Sequence, residues 1–195
     1  MYTKYTGIIL KKYPFGEADE LLTIYTRESG KMRVKTRSTR KIHSRLAGHL
    51  QSLNEIDFET ASRARASAIA LPVITSVRAL TINSYLRENL RKFAFALVGI
   101  ETLYRICADH EPNLEIYNAL VNFLKTLGNM VNENLAVRQF QLELLSASGY
   151  ALPGLVLQSG EPVHRLTGEL EKEIDQMLEY VLEREIKSSK FLSEV

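Results

Sequence analysis

The sequence has little cysteine and no long apolar run, and each absence excludes a class of protein. Cys107 is the one cysteine among 195 residues, so neither an internal disulfide framework nor a cysteine-based zinc finger is expected. The longest apolar run, Phe93–Ile100, is far shorter than the about 20 residues that a membrane helix needs. Residues 1–6 have no apolar targeting core, so no secretory signal is expected. These observations predict a cytoplasmic protein with no membrane partner.

Motifs that carry chemistry are also missing from the sequence. No Gly-Lys-Ser/Thr loop for nucleotide phosphates is present. His43 and His49 have no third metal ligand nearby, and Cys107 continues an apolar helical stripe rather than forming a metal pair with His110. The two carboxylates of Gly16–Asp19 have no nucleophile or metal motif beside them. We therefore predict that the chain is not an enzyme and has no cofactor or metal.

The excess positive charge is confined to the first part of the chain. Residues 1–80 contain 14 Lys+Arg and 7 Asp+Glu, a net charge of +7, whereas residues 81–195 contain 11 and 16, a net charge of −5. With 45% hydrophobic and 25% charged residues, the chain as a whole has ordinary globular composition. A basic segment joined to an acidic one indicates that the basic segment binds a polyanion.

Most of this excess lies between Arg27 and Arg45, a segment that we call the basic block. Its single acid is Glu28. Its eight bases are Arg27, Lys31, Arg33, Lys35, Arg37, Arg40, Lys41 and Arg45. A run of charge is often only a solvated surface, and that alternative stays open from the sequence alone.

The first 80 residues have the period of short β-strands. Within the basic block, Met32, Val34 and Thr36 are predicted to face one side of a strand and the bases between them the other. The predicted strands are Thr6–Lys12, Leu21–Thr26, Lys31–Ser38, Leu53–Thr60 and Ser67–Ala79, the last with Pro72 inside it. Five short strands with little helix predict a small barrel, because closure removes exposed strand edges.

After Leu80 the apolar period changes to that of helices. One long helix is predicted from the stripe Leu86, Leu90, Phe93, Leu97, Ile100, Tyr104 and Cys107. Further helices are predicted to open at Pro112, to run from Asn134 to a stop at Gly149, and to span Thr167–Lys187, with a loop at Tyr150–Arg165. The predicted fold class is α+β, with a β-barrel in residues 1–80 followed by an all-helical domain in residues 81–195.

Several segments closely resemble the bacterial recombination mediator RecO family. In the first half these are Gly16–Lys31 (GEADELLTIYTRESGK), the basic Arg37–Lys41, and Ser44–Gly48 (SRLAG). In the second half, Leu144-Leu145, Gly149-Tyr150 and Met177–Leu192 are similar to the helical domain of that family, less specifically. The resemblance extends over essentially the whole chain.

The resemblance implies a fold, an activity and partners. The fold is a five-stranded OB-fold barrel followed by a helical domain. The activity is binding of single- and double-stranded DNA, annealing of complementary strands, and help in loading recombinase onto DNA coated by single-strand-binding protein. The implied partners are DNA, RecR and the acidic, hydrophobic-tipped tail of single-strand-binding protein, and the implied location is the cytoplasm, at the nucleoid.

The sequence departs from the family pattern in two places. Many members carry a cysteine-rich zinc module after the Gly-Tyr pair, whereas Tyr150–Arg165 contains no cysteine, so no zinc site is predicted here. Members often have glycine and alanine between the bases of the basic block, whereas this chain has Ser38 and Thr39. This chain thus keeps the positive charge of the family's basic block, but the residues between the bases, which set the local backbone conformation, differ from those of the family.

Three bases on the third predicted strand are candidate phosphate contacts. Arg33, Lys35 and Arg37 span about 13 Å at ~3.3 Å per residue, which matches two or three nucleotide steps. The fourth predicted strand has acids at Glu55, Asp57 and Glu59. If these acids lie across the ladder from the bases, they neutralise them instead. The sequence leaves both interpretations open.

Three further bases, Arg40, Lys41 and Arg45, lie in a predicted loop with no acid nearby in sequence. They are therefore stronger candidates for nucleic-acid contacts than the strand bases. Tyr13 and Phe15 flank a turn in the same half and are candidates for base stacking, as aromatic residues are in other OB-folds. The facing of Tyr25 is not determined by the pattern.

The sequence therefore predicts a non-enzymatic DNA-binding adaptor of DNA repair and recombination. Two alternatives remain open. One is a protein-interaction scaffold whose basic block docks an acidic partner peptide, and the other is an OB-fold RNA binder.

Overall fold

The computed structural model describes residues 2–61, 71–129, 132–150 and 168–182. Contacts separate the chain into two units, Met1–Asn83 with Ala108–Pro112 and Ser84–Cys107 with Asn113–Val195. The first unit thus takes in a short segment from the second half of the chain. The division into functional domains at residue 80 stays a prediction.

Five strands of the first unit form a closed barrel. They are β1 (Tyr2–Phe15), β2 (Asp19–Thr26), β3 (Gly30–Thr36), β4 (Glu55–Ala61) and β5 (Val73–Thr81). Their order around the barrel is β1-β2-β3-β5-β4, and the one parallel pairing joins β3 to β5 at Lys35 and Val73. This arrangement is the five-stranded OB-fold, and the predicted fold class is confirmed.

β1 closes the barrel because it is long enough to pair with two neighbours. Residues 2–8 pair with β4 and residues 7–15 with β2, with a bulge between Ile9 and Lys11. Gly7 lies where the two pairings overlap. A Cβ there would lie 2.7 Å from a methyl group of Ile24 and 2.8 Å from the carbonyl oxygen of Tyr25. Close approach of β2 therefore requires glycine at this position.

The alternation predicted for β3 is confirmed. Met32, Val34 and Thr36 are buried, while Arg33 is exposed and Lys35 half-buried. The buried apolar residues of the barrel are Ile9, Leu22, Ile24, Met32, Val34, Leu50, Ile56, Phe58 and Ile74. Arg33 and Lys35 consequently lie on the outer face, where a ligand can reach them.

The last strand begins later than predicted. β5 starts at Val73, directly after Pro72, because proline has no N–H to donate to a ladder. The Pro72 carbonyl instead accepts the Lys35 N–H at 2.8 Å. The predicted strand residues 67–70 lie outside the described residues.

The second unit contains five described helices. They are α1 (Ser84–Glu88), α2 (Leu90–Ile106), α3 (Leu114–Asn129), α4 (Glu133–Ala147) and α5 (Gly168–Leu182). The single long helix predicted from Leu86 to Cys107 is wrong. Asn89 interrupts it, because its extended backbone and its side chain, which accepts the Lys92 N–H at 3.0 Å, form the N-cap of α2.

The face of α2 that packs in the core also differs from the prediction. Ile100 of the predicted stripe is buried, but Leu90 is 59% exposed, and the unpredicted Phe95, Gly99 and Leu103 are buried. A Cβ on Gly99 would lie 2.5 Å from the Phe123 ring, so only glycine allows α3 this close. Since the middle of α2 is apolar on all sides, the period alone could not select the packed face.

The ends of the remaining helices agree more closely with the sequence. α3 starts one residue after Asn113, which caps the helix because its side chain accepts the backbone N–H groups of Glu115 and Ile116. Pro112 therefore precedes the cap and does not open the helix as predicted. α4 ends before Gly149, which has a φ of +85°, as predicted. The predicted loop from 151 to 165 and the predicted helical residues 183–187 lie outside the described residues.

Candidate nucleic-acid interface

The candidate phosphate contacts of β3 lie on the outer face of the β2–β3 pair. Arg33 is opposite Thr23 and Lys35 is opposite Leu21 in the antiparallel register. Directly opposite residues point to the same face of a sheet. This is also the face, together with the β1–β2 and β4–β5 loops, that OB-folds use to bind oligonucleotides.

The acids of β4 do not neutralise these bases. β5 lies between β3 and β4 in the barrel, so the two strands are not neighbours. Asp57 instead pairs with Arg78 at 2.8 Å, and Glu59 pairs with Lys4 at 3.3 Å. The hydrogen bond from Arg78 holds the pKa of the Asp57 carboxyl below its ordinary value. The alternative of pairing across the ladder with Glu55, Asp57 and Glu59 is therefore wrong.

Lys35 has a different acidic partner, Asp19, at the start of β2. Its ammonium lies 3.0 Å from the Asp19 carboxylate and 4.7 Å from the centre of the Phe15 ring. The second distance is that of a cation–π contact. Asp19 thus partly neutralises the charge of Lys35. The interpretation of Lys35 as a free cation on the strand does not hold.

The segment after β3, residues 37–45, which we call the basic loop, is anchored on the β1–β2 turn. The Arg40 N–H donates to the Ala18 carbonyl at 3.0 Å, and the Arg40 guanidinium donates to the carbonyls of Gly16 at 3.3 Å and Glu17 at 3.2 Å. The basic loop and the aromatic end of β1 are therefore brought to one end of the barrel.

Asp19 makes a second contact that fixes this loop. Its carboxylate accepts the backbone N–H of Ser38 at 2.9 Å. This hydrogen bond, followed by that from Lys35, holds the pKa of Asp19 below its ordinary value, so the carboxylate is charged at neutral pH. Next to it, the Thr36 and Thr39 hydroxyls lie 2.7 Å apart.

Four of the six candidate bases are exposed and have side chains that make neither a salt bridge nor a hydrogen bond within the described residues. They are Arg33, Arg37, Lys41 and Arg45. Within the described residues, none of the four has a carboxylate oxygen within 4.0 Å. Among the other bases of the basic block, Lys31 is buried and pairs with Asp109 at 3.3 Å, so it is not offered at the surface.

The two candidate stacking residues are accessible. Tyr13 is 47% and Phe15 45% exposed, at the end of β1. Tyr13 is opposite Leu21, which is itself opposite Lys35, so the ring and the ammonium lie on the same outer face. Tyr25, whose facing the pattern left open, is fully buried.

Sequence reasoning missed two residues of this region. The sequence indicates only a turn role for Asp19, because its contacts are with residues 16 and 19 positions away along the chain. Ile42 is 96% exposed in the basic loop, beside a turn in which the Ser44 N–H donates to the Lys41 carbonyl at 3.0 Å. In the sequence, Ile42 is an apolar residue inside a basic run with no apolar residue next to it, and this isolation is the signal that could have found it.

The described residues contain no group of three or more His, Cys, Asp or Glu side chains that could hold a metal ion. His49 Nδ1 accepts the Ala79 N–H at 3.4 Å, which is a structural contact between the segment after the basic loop and β5. Cys107 is buried. No helix in the described part of the chain is long and apolar enough to cross a membrane.

Comparison with known families accounts for both units. Residues 1–77 match the family model for the N-terminal part of Recombination protein O, and residues 87–154 match the model for its C-terminal part. The chain belongs to the RecO family. The family match therefore includes most of the OB-fold and the helices α2 to α4, and the predicted membership of the RecO family is confirmed.

Curated members of the RecO family share about a third of the aligned residues. The DNA repair protein RecO of Anaeromyxobacter dehalogenans (strain 2CP-C) is 30% identical over 75% of this chain and 56% of its own length. That of Dehalococcoides mccartyi (strain CBDB1) is 32% identical over 75% and 56%, and that of Roseiflexus sp. (strain RS-1) is 32% identical over 74% and 49%. The chain thus spans about half the length of these relatives.

Proposed function

We propose that this RecO-family chain binds single- and double-stranded DNA through the outer face of β2–β3 and the basic loop. The observation that carries the proposal is that Arg33, Arg37, Lys41 and Arg45 are exposed and have no carboxylate oxygen within 4.0 Å among the described residues. Arg33 lies on the β2–β3 face, which other OB-folds use to bind oligonucleotides, and the basic loop is anchored on the β1–β2 turn, which belongs to the same binding surface in those proteins.

Two physical contributions provide the affinity. Each phosphate that a base neutralises releases condensed counterions, which makes binding favourable and dependent on salt. Tyr13 and Phe15 add stacking of unpaired bases, worth about 1–3 kcal/mol per base. Phe15 is 45% exposed, with the Lys35 ammonium 4.7 Å from its ring centre.

Annealing of complementary strands follows from the same binding. Neutralising the phosphates of two strands lowers the repulsion that keeps them apart, and no covalent step is needed, so the chain acts without being an enzyme. Membership of the RecO family supports a role in loading recombinase onto DNA coated by single-strand-binding protein. RecR and the acidic tail of single-strand-binding protein are the proposed protein partners, at the nucleoid.

A salt-titrated annealing assay, with and without single-strand-binding protein, tests this function. We expect the acceleration of annealing by the chain, relative to oligonucleotides alone at the same salt, to fall as salt rises. We also expect the chain to accelerate annealing of strands coated with single-strand-binding protein. An acceleration that does not change with salt would contradict the electrostatic mechanism. Failure on coated strands alone would contradict the mediator role and leave DNA binding in place.

The exposure of Ile42 beside Lys41 supports a second candidate, an acidic peptide that carries an apolar residue. Competition between such a peptide and a DNA oligonucleotide in a gel shift separates the two ligands. A scaffold would bind the peptide tightly and DNA weakly. Matched DNA and RNA oligonucleotides test the RNA alternative, since the 2′-hydroxyl is the difference along the backbone.

A further inference from the structure

We propose that Asp19 is a positioning residue of this interface, which holds the basic loop in the conformation that presents Arg37 and Lys41. The proposal rests on the proposed function, because DNA is the ligand that the loop is presented to. Its central consequence is that removing the Asp19 carboxylate weakens DNA binding, although it also removes a negative charge from a cationic face.

The contacts of Asp19 divide between its two carboxylate oxygens. Oδ1 accepts the Ser38 N–H at 2.9 Å, and Oδ2 lies 3.0 Å from the Lys35 ammonium. One oxygen therefore fixes the backbone of the basic loop, while the other fixes the side chain that lies over Phe15. A single carboxylate joins the cationic and aromatic parts of the face.

Ser38 needs this contact because of its backbone conformation. Its φ is +55°, in the left-handed region, where a residue with a Cβ is unfavourable and glycine is favoured. The hydrogen bond to Asp19 stabilises the conformation that the serine side chain disfavours. Without it, we expect the backbone at residue 38 to change to a negative φ.

The residues on either side of Ser38 are held separately. Thr36 and Thr39 are buried and hydrogen-bonded to each other, and Arg40 is bound to the β1–β2 turn through its backbone and guanidinium. Arg37 lies between these fixed points. The direction of its exposed side chain is therefore determined largely by the backbone at residue 38.

Electrostatics alone makes the opposite prediction for a loss of Asp19. The carboxylate is charged at neutral pH, and it attracts Lys35 and Arg37, so it competes with phosphate for them. If charge were its only role, any uncharged replacement would increase DNA affinity. The positioning role predicts instead that the result depends on whether the replacement still accepts the Ser38 N–H.

The experiment measures binding of the full chain to a labelled oligonucleotide of about 16 nucleotides, a length within the range of one OB-fold. Anisotropy titrations at several salt concentrations compare the wild type with Asp19→Ala, Asp19→Asn, Ser38→Gly, Ser38→Val and Asp19→Ala/Ser38→Gly. Asp57→Ala is the matched control, since it removes a paired acid from the β4 strand.

We expect Asp19→Ala to weaken binding about 3- to 10-fold and to reduce the salt slope by ~0.7 for each phosphate that is no longer neutralised. Asp19→Asn keeps an acceptor oxygen and removes the charge, so it binds at least as tightly as the wild type. Adding Ser38→Gly to Asp19→Ala restores at least half of the affinity, because glycine adopts the positive φ unaided. A role in folding alone would not produce this rescue.

Three results would overturn the proposal. Tighter binding by Asp19→Ala would mean that the carboxylate only competes with phosphate. A weakened Asp19→Ala that Ser38→Gly does not rescue would mean that Asp19 does not act through Ser38. Normal binding by Ser38→Val would also mean that Asp19 does not act through Ser38, because valine disfavours a positive φ even when Asp19 is intact. This result does not depend on whether the Asp19 variants fold. A wild type that does not bind DNA is the separate failure of the proposed function.

Discussion

Replacement of three bases of the basic loop, Arg37, Lys41 and Arg45, by alanine is the sharpest test of the interface. All three are exposed, and none has an acidic partner within 4.0 Å in the described part of the chain. Arg40 is left in place because its guanidinium donates to the carbonyls of Gly16 and Glu17, so its loss would also loosen the loop. The triple variant therefore removes proposed phosphate contacts without removing structural ones.

The magnitude follows from counting unpaired bases. Four bases that each neutralise a phosphate of a single strand give a slope of log affinity against log salt of about −2.8, at ~0.7 per phosphate. Lys35, which is paired with Asp19, and Arg40, which donates to carbonyls, are not counted. Of the four counted bases, Arg33 remains in the triple variant, which gives about −0.7. Between about 50 and 200 mM salt, the affinity of the wild type should fall about 50-fold and that of the variant about 3-fold.

Fluorescence anisotropy with a single-stranded oligonucleotide over this salt range measures both slopes. The control is Lys4→Ala/Arg78→Ala/Lys125→Ala, which removes the same number of cations from other surfaces. Lys4 and Arg78 are already paired with Glu59 and Asp57, and Lys125 is an exposed residue of α3. If the control and the triple variant change the slope equally, net charge and not this surface determines binding, and the reasoning fails.

Three further predictions concern other parts of the molecule. Phe15→Ala should weaken single-strand binding by about 1–3 kcal/mol and duplex binding much less, in paired titrations, because only unpaired bases stack. Glu143→Gln should raise the thermal midpoint at pH 7. Burial raises the pKa of Glu143 above its ordinary value of 4.5, so the charged side chain destabilises the folded state at that pH. That gain should disappear below pH 4.5, where the glutamate is neutral in both states, and an equal gain at low pH would contradict the burial argument. Gly99→Ala should destabilise the chain by about 1–3 kcal/mol in urea unfolding, because the new Cβ meets the Phe123 ring, and an unchanged midpoint would contradict this packing.

The barrel could be predicted from the sequence because its strands alternate in burial. In β3 and β4 every second residue is apolar or Thr, and the structure buries those residues. What could not be predicted was which strands are neighbours. Chain order places β4 next to β3 and its acids beside Arg33, whereas the OB-fold inserts β5 between them.

The helices were less predictable, for reasons that lie in α1 and α2. The stripe of seven apolar residues continues through Asn89, and periodicity has no signal for a cap inside such a stripe. The packed face of α2 is determined by Gly99, where Phe123 and Phe140 approach the helix. A helix that is apolar all round leaves that choice to its tertiary partners.

The distribution of ion pairs around the barrel supports the proposed location of the DNA-binding face. On the side formed by β1, β4 and β5, Lys4 and Arg78 are matched by Glu59 and Asp57. On the β2–β3 side, Asp19 is matched to Lys35, whereas Arg33, Arg37, Lys41 and Arg45 have no such partner within the described residues. Since paired charges cancel at the distance of a ligand, the field outside the barrel comes mainly from the unpaired bases. The position of the acids, more than the number of bases, is therefore the reason that we propose the β2–β3 face, and not the face of β1, β4 and β5, for DNA.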